Sequence, residues 1–170
     1  MTDFNLDSFR NTYKDFARGY LFTATISNSK YWKDDNSYLV KTASMPATEQ
    51  EEILTSWQGN SYKLAATPTY ADFTINFMQD MESELRTKFL KWMTYNHNMD
   101  TNVHGAVDNS SGNYFSDIVM KQLDVKGKEF TRCTLYGAWP KSVGEISLDY
   151  SAKDIAVFDV TWAYQYHIFS

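Results

Sequence analysis

From Asp72 to Gln79 the side chains alternate: Phe73, Ile75 and Phe77 face one way, Asp72, Thr74 and Asn76 the other. That period of two predicts a strand with one buried face. The longest alternation runs from Ile155 to Ile168, with Phe158, Val160, Trp162, Tyr164, Tyr166 and Ile168 against Asp159, Thr161, Gln165 and His167. Tyr20–Ser27 and Tyr38–Ala43 repeat the pattern more briefly, and Glu145–Tyr150 reads as a short extended piece. Ile118–Val125 and Glu129–Ala138 flank Lys126-Gly127, which predicts a hairpin with its turn glycine. Ser56–Ala65 predicts a strand running across Gly59 with a bulge there. Met45-Pro46, Pro68 and Trp139-Pro140 are expected to end or reset strands, because proline has no ladder donor.

Helical spacing occurs twice. Phe9, Tyr13 and Phe16 share one face of a short N-terminal segment that Asp7 or Ser8 can cap. The longer helix is expected from about Met81 to about Tyr95, with Leu85, Phe89, Trp92 and Met93 as its apolar stripe. Asp80 suits its N-cap, and Glu82 and Glu84 suit the positive end of its dipole. Asn28–Ser37 is polar and turn-rich, Glu49, Glu51 and Glu52 mark an acidic surface loop, and Asn96–Asn113 reads as one long loop. The sum is about eight strands and one major helix, a mainly-β chain.

At 170 residues the chain is expected to form one domain, residues 1–170, large enough for a core without staples. A net charge of −5 argues against duplex binding, which calls for a basic face. One cysteine, Cys133, leaves no intrachain disulfide, and no run of apolar residues reaches the length of a membrane span. Met1-Thr2-Asp3-Phe4 lacks the basic start and apolar run of a secretory signal, so the expectation is a soluble protein folded in a reducing compartment. Aromatics make up 16% of the residues, more than one small core needs, and interface cores favour them.

Catalytic and cofactor chemistry is not indicated. His97, His104 and His167 lack a metal-ligand spacing even with Asp100 beside them. Cys133 with His167 fits a packed thiol better than a nucleophile pair, and there is no phosphate-binding glycine loop or GxSxG. No catalytic, cofactor-binding or metal residue is therefore assigned, and the chain is expected not to be an enzyme. Arg18 is a candidate for an ion pair between subunits, while Glu49, Glu51 and Glu52 suit a solvated loop, a contact between subunits or the lining of an assembly.

Three stretches together resemble the tail tube proteins of contractile-tailed bacteriophages. They are Phe16-Ala17-Arg18 followed by Leu21-Phe22, then Met45-Pro46, and most specifically Gly137-Ala138-Trp139-Pro140-Lys141-Ser142-Val143-Gly144-Glu145-Ile146 before a long aromatic strand. Lys88, Phe89 and Trp92 also match the family's helix ending, while Gly19 departs from it where Pro is common. The resemblance marks Phe16, Ala17, Arg18, Leu21, Phe22, Pro46, Trp139, Pro140, Gly144 and Glu145 as signature positions, with Phe9, Tyr13, Arg18, Glu49, Glu51 and Glu52 as candidate contacts between subunits. It implies an antiparallel β-sandwich or barrel flanked by one helix, assembling into hexameric rings that stack into a hollow tube.

Such a tube sits in the virion tail inside a contractile sheath, assembles in the host cytoplasm, and conducts the genome without binding DNA specifically. Its implied partners are further copies of the chain, the sheath protein, the baseplate or tube initiator and the tail terminator. A negatively charged lumen would let phosphates slide, and the polar faces of Tyr38–Ala43, Ser56–Ala65 and the 118–138 hairpin are candidates to line it. Three alternatives stay open: a baseplate or initiator protein, the tube of a genome-free injection particle, and a monomeric ligand-binding β-barrel.

Overall fold

The structure is a computed structural model that describes residues 6, 17–28, 30–98, 100–104, 114–151 and 153–170. The N-terminal helix expected to carry Phe9, Tyr13 and Phe16 lies outside the described residues.

Among the described residues the strands are β1 (Phe22–Ile26), β2 (Val40–Ala43), β3 (Glu49–Trp57), β4 (Asn60–Thr69), β5 (Phe73–Met78), β6 (His97–Asn98), β7 (Val103–His104), β8 (Ser116–Leu123), β9 (Glu129–Val143), β10 (Val157–Ala163) and β11 (Tyr166–Phe169). A 3-10 turn spans Asp34–Leu39, and one α-helix, α1, spans Glu84–Asn96. The fold is mainly β and antiparallel, as expected.

The main sheet runs in the order β1-β8-β9-β10-β5-β2, with β11 also on β9. Its inner face holds Ile75, Phe77, Phe158, Val160 and Trp162, and α1 closes over them with Leu85, Phe89 and Trp92, all essentially inaccessible. Phe89 and Trp92 each meet Trp162 edge to face, with centroids 5.5 and 5.6 Å apart. These contacts are the geometry aromatic quadrupoles favour. Trp92 Nε1 donates to the Tyr114 carbonyl at 2.9 Å, so burying the indole leaves no lost hydrogen bond there.

Several expectations need correction. Tyr31 and Trp32 sit inside a segment read as polar loop, yet both are buried; Tyr31 stacks on Trp92 at 5.1 Å. The helix starts at Glu84, with Ser83 at its N-cap. Asp80 still serves the first turn from outside it, since its Oδ2 accepts the Glu84 N–H at 3.3 Å. Residues 144–149 form no strand. The loop after α1 contains the short pairing of β6 with β7.

The largest difference concerns β9. Trp139-Pro140 does not end it: the strand continues to Val143, with Pro140 opposite Trp162 and Trp139 opposite Ala163. Pro140 is fully buried beside a register shift, where the ladder has already lost a step, which is where a proline fits a strand. Gly137 has φ +62°, and an added Cβ would meet Gln165 Cγ at 2.9 Å. Around Gly137 the buried positions of β9 change from Cys133 and Leu135 to Ala138 and Pro140. Opposite it, the predicted 155–168 strand is broken at Tyr164-Gln165 and changes phase too, so His167 is buried while Tyr166 and Ile168 are exposed. Both strands turn over together at one corner.

Candidate assembly surfaces

The segment read as an acidic loop is a strand. Glu49, Glu51 and Glu52 lie in β3, which among the described residues pairs only with β4 as a separate two-stranded ribbon. Gln58 and Gly59 have φ +48° and +82°, so Gly59 belongs to a two-residue turn and not to a bulge. Positive φ at both central residues is the turn whose twist matches a hairpin. Pro68 lies within β4 opposite Gln50, next to the register shift that leaves Glu51 unmatched. A two-stranded ribbon has only edges, and an edge tolerates proline.

Every residue of β3 is exposed, and all of β4 except Ala66. The cross-strand partners Ile53↔Leu64, Thr55↔Tyr62 and Trp57↔Asn60 put Ile53, Trp57, Tyr62 and Leu64 on one face. Trp57 is 70% exposed. The other face carries Glu52 and Lys63, whose charges meet at 2.7 Å. An isolated hairpin is marginal in water, and this one spends its largest side chains on a face its own chain leaves exposed.

The root of the ribbon is fixed. Thr48, before β3, meets His167 Nε2, and Tyr70, after β4, sets its ring edge to face on His167 at 5.1 Å. Tyr164 OH lies 3.4 Å from His167 Nδ1. Burial pushes the His167 pKa below its ordinary value and raises that of Tyr164. Burial also pushes the Cys133 thiol up to about 11, which keeps it protonated as a core residue.

Within the stretch 137–146, Gly144 is closely packed. Gly144 N–H donates to the Asp159 carbonyl at 2.6 Å, and an added Cβ would lie 3.1 Å from that oxygen. Arg86 Nη2 donates to the Gly144 carbonyl at 3.3 Å, tying α1 to the end of β9. Trp139 is half-buried, with Tyr114 edge to face at 6.4 Å, while Glu145 is exposed. Leu21, Phe22 and Pro46 are half-buried; Ala17 and Arg18 are exposed, and Arg18 Nη1 reaches Tyr20 OH at 3.5 Å. Phe9, Tyr13 and Phe16 lie outside the described residues.

Two further surfaces are not among the candidate contacts named from the sequence. One is the loop after β9, where Leu148, Tyr150 and Ile155 are all largely exposed. The alternation that marks a strand says nothing about a loop's apolar residues. The other is the outer face of β5 and β10, where Asn76 donates to Asp159 at 2.6 Å and Thr74 meets Thr161 at 3.3 Å. Among the described residues, no cluster of three or more His, Cys, Asp or Glu side chains is arranged to hold a metal ion. No helix there is long and apolar enough to cross a membrane.

The profile of the family described as "Phage tail tube protein" matches residues 5–170. The chain belongs to the phage tail tube protein family. It is 29% identical over 154 residues to tail tube protein gp19 of Enterobacteria phage T4, covering 89% of this chain and 91% of that one. Its fold is shared by a chain in the baseplate of the anti-feeding prophage, at TM-score 0.71 and 14% identity, covering 93% of this chain and 97% of that one. A chain of the PVC extracellular contractile injection system, solved as a sheath–tube complex in the extended state, gives TM-score 0.64 at 15% identity, covering 98% and 97%. Membership of a structural tail tube family points to a non-enzymatic role in the tail.

Proposed function

We propose that this tail tube protein, residues 1–170 acting as one domain, self-assembles into hexameric rings that stack into the inner tube of a contractile tail. The observation that carries the reading is the β3–β4 ribbon, whose apolar face of Ile53, Trp57, Tyr62 and Leu64 is exposed on the lone subunit. A second copy is the natural cover, because head-to-tail contacts repeat around a ring and along its axis. The ribbon reaches the next ring and Glu49, Glu51 and Glu52 travel with it, while Arg18 contacts a neighbouring subunit. Among the described residues β1, β11 and β2 are edge strands, and these favour lateral pairing, since open edges are a liability that ring closure removes.

Six-fold order is supported by the baseplate neighbour, which was solved with six-fold symmetry, and a surrounding sheath by the neighbour solved as a sheath–tube complex. The baseplate or initiator and the terminator cap the two ends. Assembly takes place in the host cytoplasm, and the finished tube conducts the genome. The chain's net charge of −5 and the polar outer face of β2, β5 and β10 suit a wall along which DNA passes unbound.

Negative-stain electron microscopy of the purified protein across a concentration series, with and without tail baseplates, tests this. Hollow tubes or six-fold rings are expected. Monomers at every concentration, with baseplates present, would overturn it and favour a monomeric binder.

A further inference from the structure

His97 and His104 stand seven residues apart in sequence, yet they are direct cross-strand partners where β6 pairs with β7. Their ring centroids are 4.4 Å apart and their planes 37° from parallel. The scaffold that holds them is tied at the helix end and within the turn. His97 is the C-cap of α1, and its backbone N–H donates to the Met93 carbonyl. In the turn between the strands, Asn98 Oδ1 accepts the N–H groups of Asp100 at 2.9 Å and Thr101 at 3.3 Å. The backbone is therefore built around the pair and does not depend on it.

His97 Nδ1 is buried and has no hydrogen-bond partner among the described residues. A buried ring nitrogen without a partner costs stability unless something else meets it. His104 is exposed, so the pair opens to solvent on one side.

We propose that His97 and His104 form a two-imidazole site for a divalent transition-metal ion of the Zn2+ class. Directly opposed residues of an antiparallel pair have Cβ atoms roughly 5 Å apart. That span lets two imidazoles converge on one ion at metal–nitrogen distances of about 2.0–2.1 Å. Nitrogen ligation selects Zn2+, Ni2+ or Cu2+ over Ca2+ and Mg2+, which require oxygen ligands. No third ligand joins the pair among the described residues, so water or a carboxylate of a second copy completes the coordination. Bound metal would clamp the β6–β7 turn onto the end of α1.

The test is isothermal titration calorimetry of the full chain with ZnCl2, and separately with CaCl2, near pH 7.5. Saturable Zn2+ binding at one ion per chain is expected, with no response to Ca2+. His104→Gln changes an exposed side chain and keeps the fold, which its melting curve checks. It is expected to weaken Zn2+ binding at least tenfold, as is His97→Gln. No saturable Zn2+ binding up to roughly millimolar concentration, or binding unchanged in His104→Gln, would overturn the assignment.

Discussion

Thr48 Oγ1 lies 2.8 Å from His167 Nε2, so one buried imidazole ties the root of the projecting ribbon to the C-terminal strand. The ring serves this role neutral, because burial holds its pKa below the ordinary histidine value of 6.5. Its contribution to stability is therefore present above that value and lost as pH falls through the lower value of the folded state. The melting temperature is expected to fall as pH is lowered from about 7 to about 5. His167→Gln should flatten that part of the profile. An identical pH profile in the variant would remove His167 as its source.

The core is centred on Trp162, not on the tryptophan of the signature stretch. Trp162 is fully buried against Phe89 and Trp92, whereas Trp139 is only half-buried. Trp162→Ala is expected to cost about 3–5 kcal/mol and Trp139→Ala about 1–2 kcal/mol. Equilibrium denaturation in urea gives both numbers, and a larger loss at Trp139 would contradict this packing.

Gly137 is confined by its φ of +62° and by Gln165. Gly137→Ala should cost about 1–2 kcal/mol for the left-handed backbone alone. Contact with the Gln165 side chain adds to that. Gln165→Ala removes the contacting Cγ, so the glycine substitution should cost less in that background. Additive costs in the double-mutant cycle would show that the corner is set by the backbone alone.

Trp57 is exposed and lies outside the core cluster, so Trp57→Glu should leave the melting temperature within about a degree of wild type. The same change is expected to abolish tube growth in electron micrographs. Arg18→Glu is expected to behave likewise. Normal tubes from either variant would take that residue out of the contact between subunits.

What could be read from the sequence was whatever obeyed a single period. β5 follows its alternation residue for residue, and the apolar stripe of α1 packs as its spacing requires. The β3–β4 ribbon was partly hidden because a strand exposed on both faces has no burial pattern to betray it, and Glu49, Glu51 and Glu52 imitate a loop. Tyr31 and Trp32 were hidden by polar neighbours, since one turn of chain can bury two rings without any period.

The corner at Gly137 was illegible for a different reason. Reversing the facing of β9 and of the β10–β11 strand requires two distant segments to change phase together, and neither carries the signal alone. The exposed apolar surfaces were legible only as an aromatic surplus. Nothing in a linear pattern separates Trp57, which faces out, from Trp162, which does not.

β9 pairs with β8 and β11 along its first part and with β10 along its last, so one uninterrupted backbone runs through both halves of the sheet. Mechanical load follows from that arrangement. A pull on β11 or on β10 is received in shear along the same fifteen-residue strand and passed to the other half through covalent bonds. The two halves cannot slide apart without unzipping several ladder hydrogen bonds at once. The joint is stiff where side-chain packing alone would yield, and the compliant part of the subunit under tension is the ribbon beyond Thr48 and Tyr70.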